Sequence, residues 1–350
     1  MAQDRYLIAG ATGIIGRRLT ERMAQDGSVV GLSRRPPDST MDGVRYLPLD
    51  LTDASACLQA MQDLDGISHI FYAARHDHDS KSPEKVEENL AMLRNLVEAA
   101  EAAGHPVRHV HVVQGTKYYG SNLGPFKTPA RESDARVPGA NFYYAQEDYL
   151  IARENEARWT WSTSRPHGIL DDQPGIARSM AMVIAVYAAL LKALGEPLSF
   201  PGTPGNFEAQ YQCTNTAHLA DGIAWLAATP GCANQAFNVI NGDYVRWRDL
   251  WPVFAEIFGM KPGPVRTVRL TEVMADKAPL WDQIVEKYGL VPQPYEAVAV
   301  WPYGDHLFTP HWDMVSSIDK LRAHGFTQTV ETKQSFLNAF AALRAARIIP

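Results

Sequence analysis

A glycine-rich turn near the N-terminus constrains the fold of this chain more than any other segment. Residues 5–16 read RYLIAGATGIIG, a short apolar run followed by glycines at positions 10, 13 and 16. A strand that stops at Ala9 and a helix that starts near Gly13 would leave backbone N–H groups at a helix N-terminus, which attracts phosphate. Gly10 would permit the tight turn, Gly13 the approach of a pyrophosphate, and Gly16 close packing of helix on strand. The segment predicts a dinucleotide site; the alternative is a bare strand-to-helix turn.

Length, charge and cysteine usage limit the remaining possibilities. The chain has 350 residues, which suits one large α/β domain plus a smaller lobe. A net charge of -6 without long basic runs argues against a nucleic-acid partner. The cysteines at positions 57, 213 and 232 have no metal-like spacing, and they predict buried thiols in a reducing compartment. Because the chain enters a strand without a charged-then-apolar leader, we expect a cytoplasmic protein.

The longest apolar run, residues 180–191, is bracketed by Arg178 and Lys192. It is shorter than the roughly 20 residues that cross a bilayer, so no membrane association is expected. A buried helix is the favoured interpretation, and the same run could form the interface of a homodimer.

Further apolar runs predict the other strands of a parallel sheet. They are Val29–Ser33, Val44–Leu49, Ile67–Ala74, Val107–Val113 and Trp159–Arg165. Helical periodicity over residues 83–103 places a helix between two of them. Repeated strand–helix units indicate a Rossmann-type, doubly wound parallel sheet. We expect an NADP-binding domain over residues 1–170 and a substrate lobe over 171–350, interleaved because about residues 214–240 return to the first domain.

The end of the second strand suggests which dinucleotide is bound. Ser33 is followed by Arg34 and Arg35, and no acid occupies positions 28–37. A carboxylate here would bind the ribose hydroxyls of NAD, whereas an arginine accommodates the 2′-phosphate of NADP. The arginines therefore favour NADPH over the alternative of a solvated basic turn. Asp50 and Leu51, after the third strand, stand where related folds cap the adenine ring.

Ligands of an open parallel sheet bind outside the carboxyl ends of its strands. Residues 114–120 follow the fifth strand, which places Lys117 near the expected nicotinamide, and residues 166–169 return to the same edge. His76 and His78 alternate with acids in residues 76–79. Alternating charges on an open loop favour solvation over metal binding, so no metal is expected.

The glycine spacing G-x-x-G-x-x-G resembles that of the short-chain dehydrogenase/reductase superfamily, most of whose members carry Tyr-x-x-x-Lys on one helix. None of the tyrosines here has a lysine four residues later, and Tyr143 is followed at that distance by Glu147. Either the chain is a binding module without a catalytic pair, or the pair is assembled from separate segments.

Two segments support the second interpretation. Residues 115–120 (GTKYYG) and 141–148 (NFYYAQED) resemble signature segments of the progesterone 5β-reductase and iridoid synthase-like (PRISE) family. The likeness covers essentially the whole chain and includes residues 13–16, 186–189, 237–239, 241–243, 324–326 and 348–350. The chain departs from the family at Tyr118, which is often histidine, and at His167-Gly168, usually Gly-Asn.

The resemblance implies Lys117 and Tyr143 as the catalytic pair and reduction of a C=C bond conjugated to a carbonyl. Hydride from NADPH would add to the β-carbon of a small apolar enone or enal, while the Tyr143 phenol stabilises the enolate oxygen. Lys117 would polarise the tyrosine or bind the ribose. Tyr118 and Phe336 are the candidate substrate contacts. The expected cofactor contacts comprise the glycine turn and the strand ends: Gly10, Thr12, Gly13, Ile14, Ile15, Gly16, Ser33, Arg34, Arg35, Asp50, Leu51, Ala73, Gln114, Lys117, Tyr143, Pro166, His167 and Ile169.

Two other functions remain open. A carbonyl-directed enzyme, such as a ketone or aldehyde reductase, a steroid dehydrogenase or a sugar epimerase, would use the same cofactor; the missing Tyr-x-x-x-Lys counts against it. A non-catalytic NADP sensor would not need Lys117 and Tyr143, which are both present.

Overall fold

The computed structural model describes residues 4–37, 41–76 and 84–350. Its strands are β1 (Arg5–Ala9), β2 (Ser28–Ser33), β3 (Val44–Pro48), β4 (His69–Tyr72), β5 (His109–Val113), β6 (Thr160–Ser164), β7 (Ile169–Leu170), β8 (Leu198–Phe200), β9 (Thr214–Asn215), β10 (Gln235–Phe237) and β11 (Pro262–Val265). Its α-helices are α1 (Gly16–Met23), α2 (Ala54–Gln62), α3 (Val86–Ala102), α4 (Phe142–Arg153), α5 (Met180–Ala193), α6 (Pro204–Glu208), α7 (Thr216–Ala228), α8 (Trp247–Ile257), α9 (Leu270–Val273), α10 (Ala278–Tyr288), α11 (Tyr295–Val298), α12 (Trp301–Leu307), α13 (Asp319–Ala323) and α14 (Thr332–Ala345).

Seven strands form one parallel sheet in the order β10-β6-β5-β4-β1-β2-β3. The order reverses between β1 and β4, which makes their carboxyl ends the topological switch point where open α/β sheets bind ligands. Leu7 of β1 packs with α2 and α3 on one face, whereas Ile8 packs with α1 and α7 on the other. This alternation is that of a sheet covered on both faces, and it confirms the predicted doubly wound fold.

The predicted strands of the sheet are all present, with small differences at their ends. The run Ile67–Ala74 yields only β4, residues 69–72, although Ile67 is also fully buried. The apolar run is therefore longer than the hydrogen-bonded strand, because residues that flank a central strand are buried as well.

The chain returns to the sheet after it has entered the lobe. β10 pairs in parallel with β6, so Gln235 lies opposite Ser162. α7 packs against α1, β5 and β6. α7 and β10 thus add a helix and a strand to the sheet.

The lobe is built around α5, in which every residue from 180 to 191 is buried. Helices α10, α12 and α14 pack on α5. The apolar surface of α5 is therefore covered within the chain, which leaves no exposed apolar face on this helix for the suggested dimer interface. Within the described ranges, no helix combines the length and the apolar character that a membrane span requires.

Two further predictions concern polar or reactive groups. Cys57, Cys213 and Cys232 are buried and free, as the sequence predicts. Of the histidine- and acid-rich loop, residues 77–79 lie outside the described residues.

Candidate active site

The glycine turn has the geometry that its sequence predicts. Gly10 adopts a φ of +78°, and a Cβ there would lie 2.9 Å from the backbone carbon of Ala73. A Cβ on Gly16 would overlap the carbonyl oxygen of Gly10, so only glycine lets α1 approach β1 this closely. Gly13 is exposed, and its carbonyl accepts the helical hydrogen bond from Arg17 N at 3.0 Å. The turn thus lies at the switch point, against the end of β4, with its middle glycine open to a ligand.

The glycine turn is tied to the end of β2. Thr12 Oγ1 and Ser33 Oγ form a hydrogen bond of 2.9 Å. Ile14 and Ile15 are half-buried and complete the turn before α1 begins. The structure therefore brings these four predicted cofactor contacts to one end of the sheet.

Arg34 and Arg35 are both exposed directly after β2. Across the described part of the chain, neither guanidinium forms an ion pair. Asp50 is exposed nearby; hydrogen bonds from Thr52 lower the pKa of its carboxyl group, and Arg34 lowers that pKa further. Leu51 is buried. Two cationic side chains are thus available at the place where a 2′-phosphate is expected.

Lys117 and Tyr143 come together from different segments. Lys117 lies in a 3₁₀ turn, Thr116–Tyr119, after β5, and Tyr143 lies in the first turn of α4. The Lys117 Nζ atom is 5.0 Å from the centroid of the Tyr143 ring and 4.1 Å from that of Phe142. An ammonium over aromatic faces is attracted by the ring quadrupoles. The two residues form a pair at the carboxyl edge of the sheet without sharing a helix.

Asn141 links the two segments. As the N-cap of α4, its Oδ1 accepts a hydrogen bond from Tyr143 N at 3.0 Å, which satisfies one free donor of the first turn. Its Nδ2 donates to the carbonyl oxygen of Lys117 at 3.1 Å. One side chain therefore fixes both the start of α4 and the turn that carries the lysine.

The Tyr143 side chain is half-buried, and its hydroxyl lies above Gly115. A Cβ built on Gly115 would be 3.3 Å from that hydroxyl. Burial raises the pKa of Tyr143 to about 12; Arg75 opposes the shift and Glu84 adds to it. Among the described residues, no hydrogen bond involves the Tyr143 hydroxyl. The phenol is therefore protonated at neutral pH and has a proton to donate.

Glu84 is a site residue that sequence reasoning missed. Its Oε1 atom accepts the Lys117 ammonium and, at 3.0 Å, the backbone N–H of Phe142. Burial lowers the pKa of Lys117, and Glu84 opposes that shift. No spacing rule relates Glu84 to residues 33 and 58 positions later. Glu84 lies two residues before α3, and α3 packs against α4.

A buried network fills the position that a superfamily lysine would occupy. Glu147, one turn after Tyr143, accepts hydrogen bonds from Tyr118 Oη at 2.5 Å and from Arg165 at 2.7 Å. Arg165 also donates to Gln114 at 3.0 Å, and the Gln114 amide donates to the Tyr143 carbonyl at 3.1 Å. Tyr118 is 5 % exposed, so the structure places this predicted substrate contact inside the network.

Residues 166–169 lie at the same edge. The buried Pro166 has its carbonyl oxygen 3.6 Å from a Cβ built on Gly115. His167 Nδ1 is hydrogen-bonded to Thr116 Oγ1 at 2.7 Å, and His167 N donates to Thr214 Oγ1 at 3.0 Å. Burial lowers the pKa of His167 to about 4, so the imidazole is neutral at physiological pH. Ile169 begins β7.

Phe336 is the predicted site residue that the structure places elsewhere. It is fully buried on α14. Its ring packs against Phe254 at 5.0 Å and against Phe340 and Trp247 at 6.0 and 6.2 Å between centroids. Phe336 is part of the lobe core and presents no surface to a ligand, as is usual for aromatic residues at helical spacing.

Proteins of known name are similar to this chain in sequence or in fold. The chain is 32% identical to "(S)-8-oxocitronellyl enol synthase ISY2" of Nepeta cataria, over 98% of this chain and 91% of the relative. It is 31% identical to "3-oxo-Delta(4,5)-steroid 5-beta-reductase" of Arabidopsis thaliana, over 98% and 92% of the two chains. The crystal structure of UDP-glucose 4-epimerase from Thermus thermophilus with NAD superposes with a TM-score of 0.68 at 19% identity, over 98% of this chain and 99% of that one.

The similarity to the epimerase supports only the fold, because the sequence identity between the two chains is low. The model of the PRISE-like Rossmann-fold domain matches residues 50–350. Together with the two plant relatives, this match confirms the resemblance seen in residues 115–120 and 141–148. The chain belongs to the PRISE-like Rossmann-fold family.

Proposed function

We propose that the protein is an NADPH-dependent reductase of C=C bonds conjugated to a carbonyl group. The observation that carries the proposal is the Tyr143 phenol at the carboxyl edge of the sheet, protonated and available to donate, with the Lys117 ammonium 5.0 Å from the centroid of its ring. A relative named as a steroid 5-beta-reductase supports an enone as substrate.

The residues of the glycine turn fit a dinucleotide. An exposed Gly13 and two glycines whose Cβ atoms would collide with backbone leave room for a pyrophosphate at the start of α1. Arg34 and Arg35 would hold a 2′-phosphate, since a guanidinium donates paired hydrogen bonds to such an anion. When bound, the reduced nicotinamide supplies the hydride that adds to the β-carbon of the substrate.

Tyr143 acts where negative charge develops. As hydride arrives at the β-carbon, the carbonyl oxygen becomes an enolate oxygen, and the Tyr143 O–H donates a hydrogen bond to it. A phenol with a pKa of about 12 keeps its proton, so Tyr143 serves as an oxyanion donor rather than a base. The Lys117 ammonium interacts with the electron-rich face of the Tyr143 ring. Its positive charge also stabilises the negative charge that grows on the enolate oxygen. The α-carbon then takes a proton from solvent.

The position of Glu147 disfavours a carbonyl reductase or an epimerase of the usual superfamily type. In such enzymes a lysine stands four residues after the tyrosine, whereas here a buried carboxylate paired with Arg165 occupies that place. A non-catalytic sensor would not need the hydroxyl of Tyr143 to face an open edge.

The test is turnover of a simple enone. Purified protein with NADPH and 2-cyclohexenone is expected to oxidise the cofactor and to release cyclohexanone, identified by gas chromatography. Formation of 2-cyclohexenol would identify a carbonyl reductase instead. Binding of NADPH without conversion of any enone, enal or ketone would identify a sensor.

The state of the cysteines bears on the cellular compartment of the enzyme. Three free, buried cysteines fit a reducing compartment, and we propose the cytoplasm. A homodimer stays a prediction, with an interface away from α5.

A further inference from the structure

We propose that Glu84 is a positioning residue of the active site, which holds the Lys117 ammonium in place against the helix that carries Tyr143. The proposal rests on the proposed function for the roles of those two residues. Glu84 itself touches neither the substrate nor the cofactor in this account.

The Oε1 atom of Glu84 accepts two donors, the Lys117 ammonium and the backbone N–H of Phe142 at 3.0 Å. Phe142 is the first residue of α4 and directly precedes Tyr143. A carboxylate at this point also interacts favourably with the positive end of the helix. One side chain therefore ties the lysine to the helix that carries the tyrosine.

Lys117 and Glu84 form an ion pair that is largely shielded from solvent. The side chains of Lys117 and Glu84 are only 23% and 14% exposed. Among residues 4–37, 41–76 and 84–350, Glu84 is the one carboxylate within ion-pair distance of the Lys117 ammonium. The other groups facing that ammonium are the rings of Phe142 and Tyr143 and the guanidinium of Arg75, which disfavours a second positive charge. Glu84 thus provides the compensating charge that a half-buried ammonium needs.

The charge of Glu84 acts on the ionisation of both Lys117 and Tyr143. A negative charge next to Lys117 favours the ammonium, and the same charge disfavours ionisation of Tyr143 to a phenolate. Both directions are present here: Glu84 raises the pKa of Lys117 against burial and raises the pKa of Tyr143 together with burial. A charged lysine beside a protonated phenol is the combination that the proposed mechanism uses.

The experiment compares Glu84→Gln with Glu87→Gln. The glutamine at position 84 keeps an oxygen for Phe142 N but removes the charge. Glu87 is exposed in the first turn of α3, so Glu87→Gln makes the same chemical change on a neighbouring element away from Lys117. The titration of Lys117 is followed in the apo protein by NMR of ¹³C-labelled lysine, with the signal assigned from Lys117→Arg.

Glu84→Gln is expected to lower the pKa of Lys117 by about one unit relative to Glu87→Gln. It is also expected to lower kcat/KM for the enone about tenfold and to move the alkaline limb of its pH profile to lower pH. Glu84→Asp keeps the charge on a shorter side chain. Its Lys117 pKa and its kcat/KM are expected to lie between those of the wild-type protein and Glu84→Gln. If Glu84→Gln does not fold, the Glu84→Asp titration decides alone.

Unchanged titration of Lys117 in both Glu84 variants would overturn the proposal. Lower activity with an unmoved pH profile and a lower melting temperature would also overturn it, because that result describes a merely structural residue. A shifted Lys117 titration in a protein that reduces no enone would leave the role of Glu84 supported and would refute only the proposed function.

Discussion

Single residues decide whether the Tyr143 hydroxyl is available. The hydroxyl lies above the backbone at Gly115, and a Cβ built there would also lie 3.6 Å from the carbonyl oxygen of Pro166. A side chain at position 115 would compete with a substrate oxygen for the same space. Glycine is therefore required there for access to the phenol and not for backbone conformation.

Gly115→Ala is expected to lower kcat for an enone at least about fivefold, because the new methyl group would lie 3.3 Å from the Tyr143 hydroxyl and would crowd it. The melting temperature is expected to change little, because the end of the Tyr143 ring can move. Steady-state kinetics and thermal unfolding check both statements. The matched control is Gly231→Ala, since a Cβ on Gly231 meets nothing within 4 Å. Full activity in Gly115→Ala would show that the hydroxyl is approached from another side.

The residue scale also shows where sequence reasoning stops. Lys117 and Tyr143 could be predicted from family segments, and the structure brings them together. Glu84 and Asn141 could not, because their roles depend on how α3 and the turn after β5 pack against α4. Tyr118 and Phe336 were predicted as substrate contacts from their residue type and motif, whereas a hydrogen bond to Glu147 and an aromatic core bury them.

At the scale of elements, the end of β2 is connected to the glycine turn and to the arginine segment that follows it. β2 ends at Ser33, whose hydroxyl bonds both to Thr12 Oγ1 and to the carbonyl oxygen of Arg35. The glycine turn and the two arginines are thus connected through one serine. The strands themselves could be predicted because each buried parallel strand is a short apolar run.

The double variant Arg34→Ala/Arg35→Ala is expected to weaken NADPH binding at least about tenfold and to leave NADH binding within about twofold, since charge-assisted hydrogen bonds to the 2′-phosphate are lost. Fluorescence titration with each cofactor measures both constants. Arg269→Ala, at an exposed arginine of the lobe, is the control. Equal losses for the two cofactors would show that these arginines do not read the 2′-phosphate.

At the scale of the whole molecule, the sheet buries a ladder of histidines and hydroxyls between β5 and β6. His109 contacts Thr160 and Ser162, and His111 contacts Ser162 and Ser164, at 2.7–3.0 Å. Burial lowers the pKa of His109 to about 3 and that of His111 far below its usual value. Both rings are therefore neutral in the folded protein.

The free energy of unfolding is expected to fall as pH decreases below about 6.5, where the unfolded chain binds protons that the folded ladder cannot. Each buried histidine contributes a slope of up to roughly 1.4 kcal/mol per pH unit until the pH reaches its folded-state pKa. Urea unfolding between about pH 7 and about pH 4.5 measures the slope. His111→Gln should reduce it relative to the exposed His311→Gln; equal slopes would show that His111 is protonated in the fold.

The lobe was the least predictable part of the molecule. In the lobe, β8 pairs with β11, two segments far apart in sequence, and no short apolar pattern predicts such a pair. The helices of the lobe pack through aromatic side chains around α5. The amino-acid composition indicates an aromatic core but not which helices it joins. The return of α7 and β10 was predictable because their patterns match those of the sheet domain.

The central claim is that hydride reaches the β-carbon of an enone while Tyr143 stabilises the oxygen. The most direct measurement uses NADPH deuterated on the transferred position, 2-cyclohexenone, and product analysis by NMR for the wild-type protein and Tyr143→Phe. The account predicts cyclohexanone with deuterium at C3, and in the variant the same product formed at least about tenfold more slowly, since one oxyanion donor typically contributes ~10²–10³ in rate. Deuterium on the carbinol carbon of 2-cyclohexenol, or an undiminished rate in Tyr143→Phe, would contradict it.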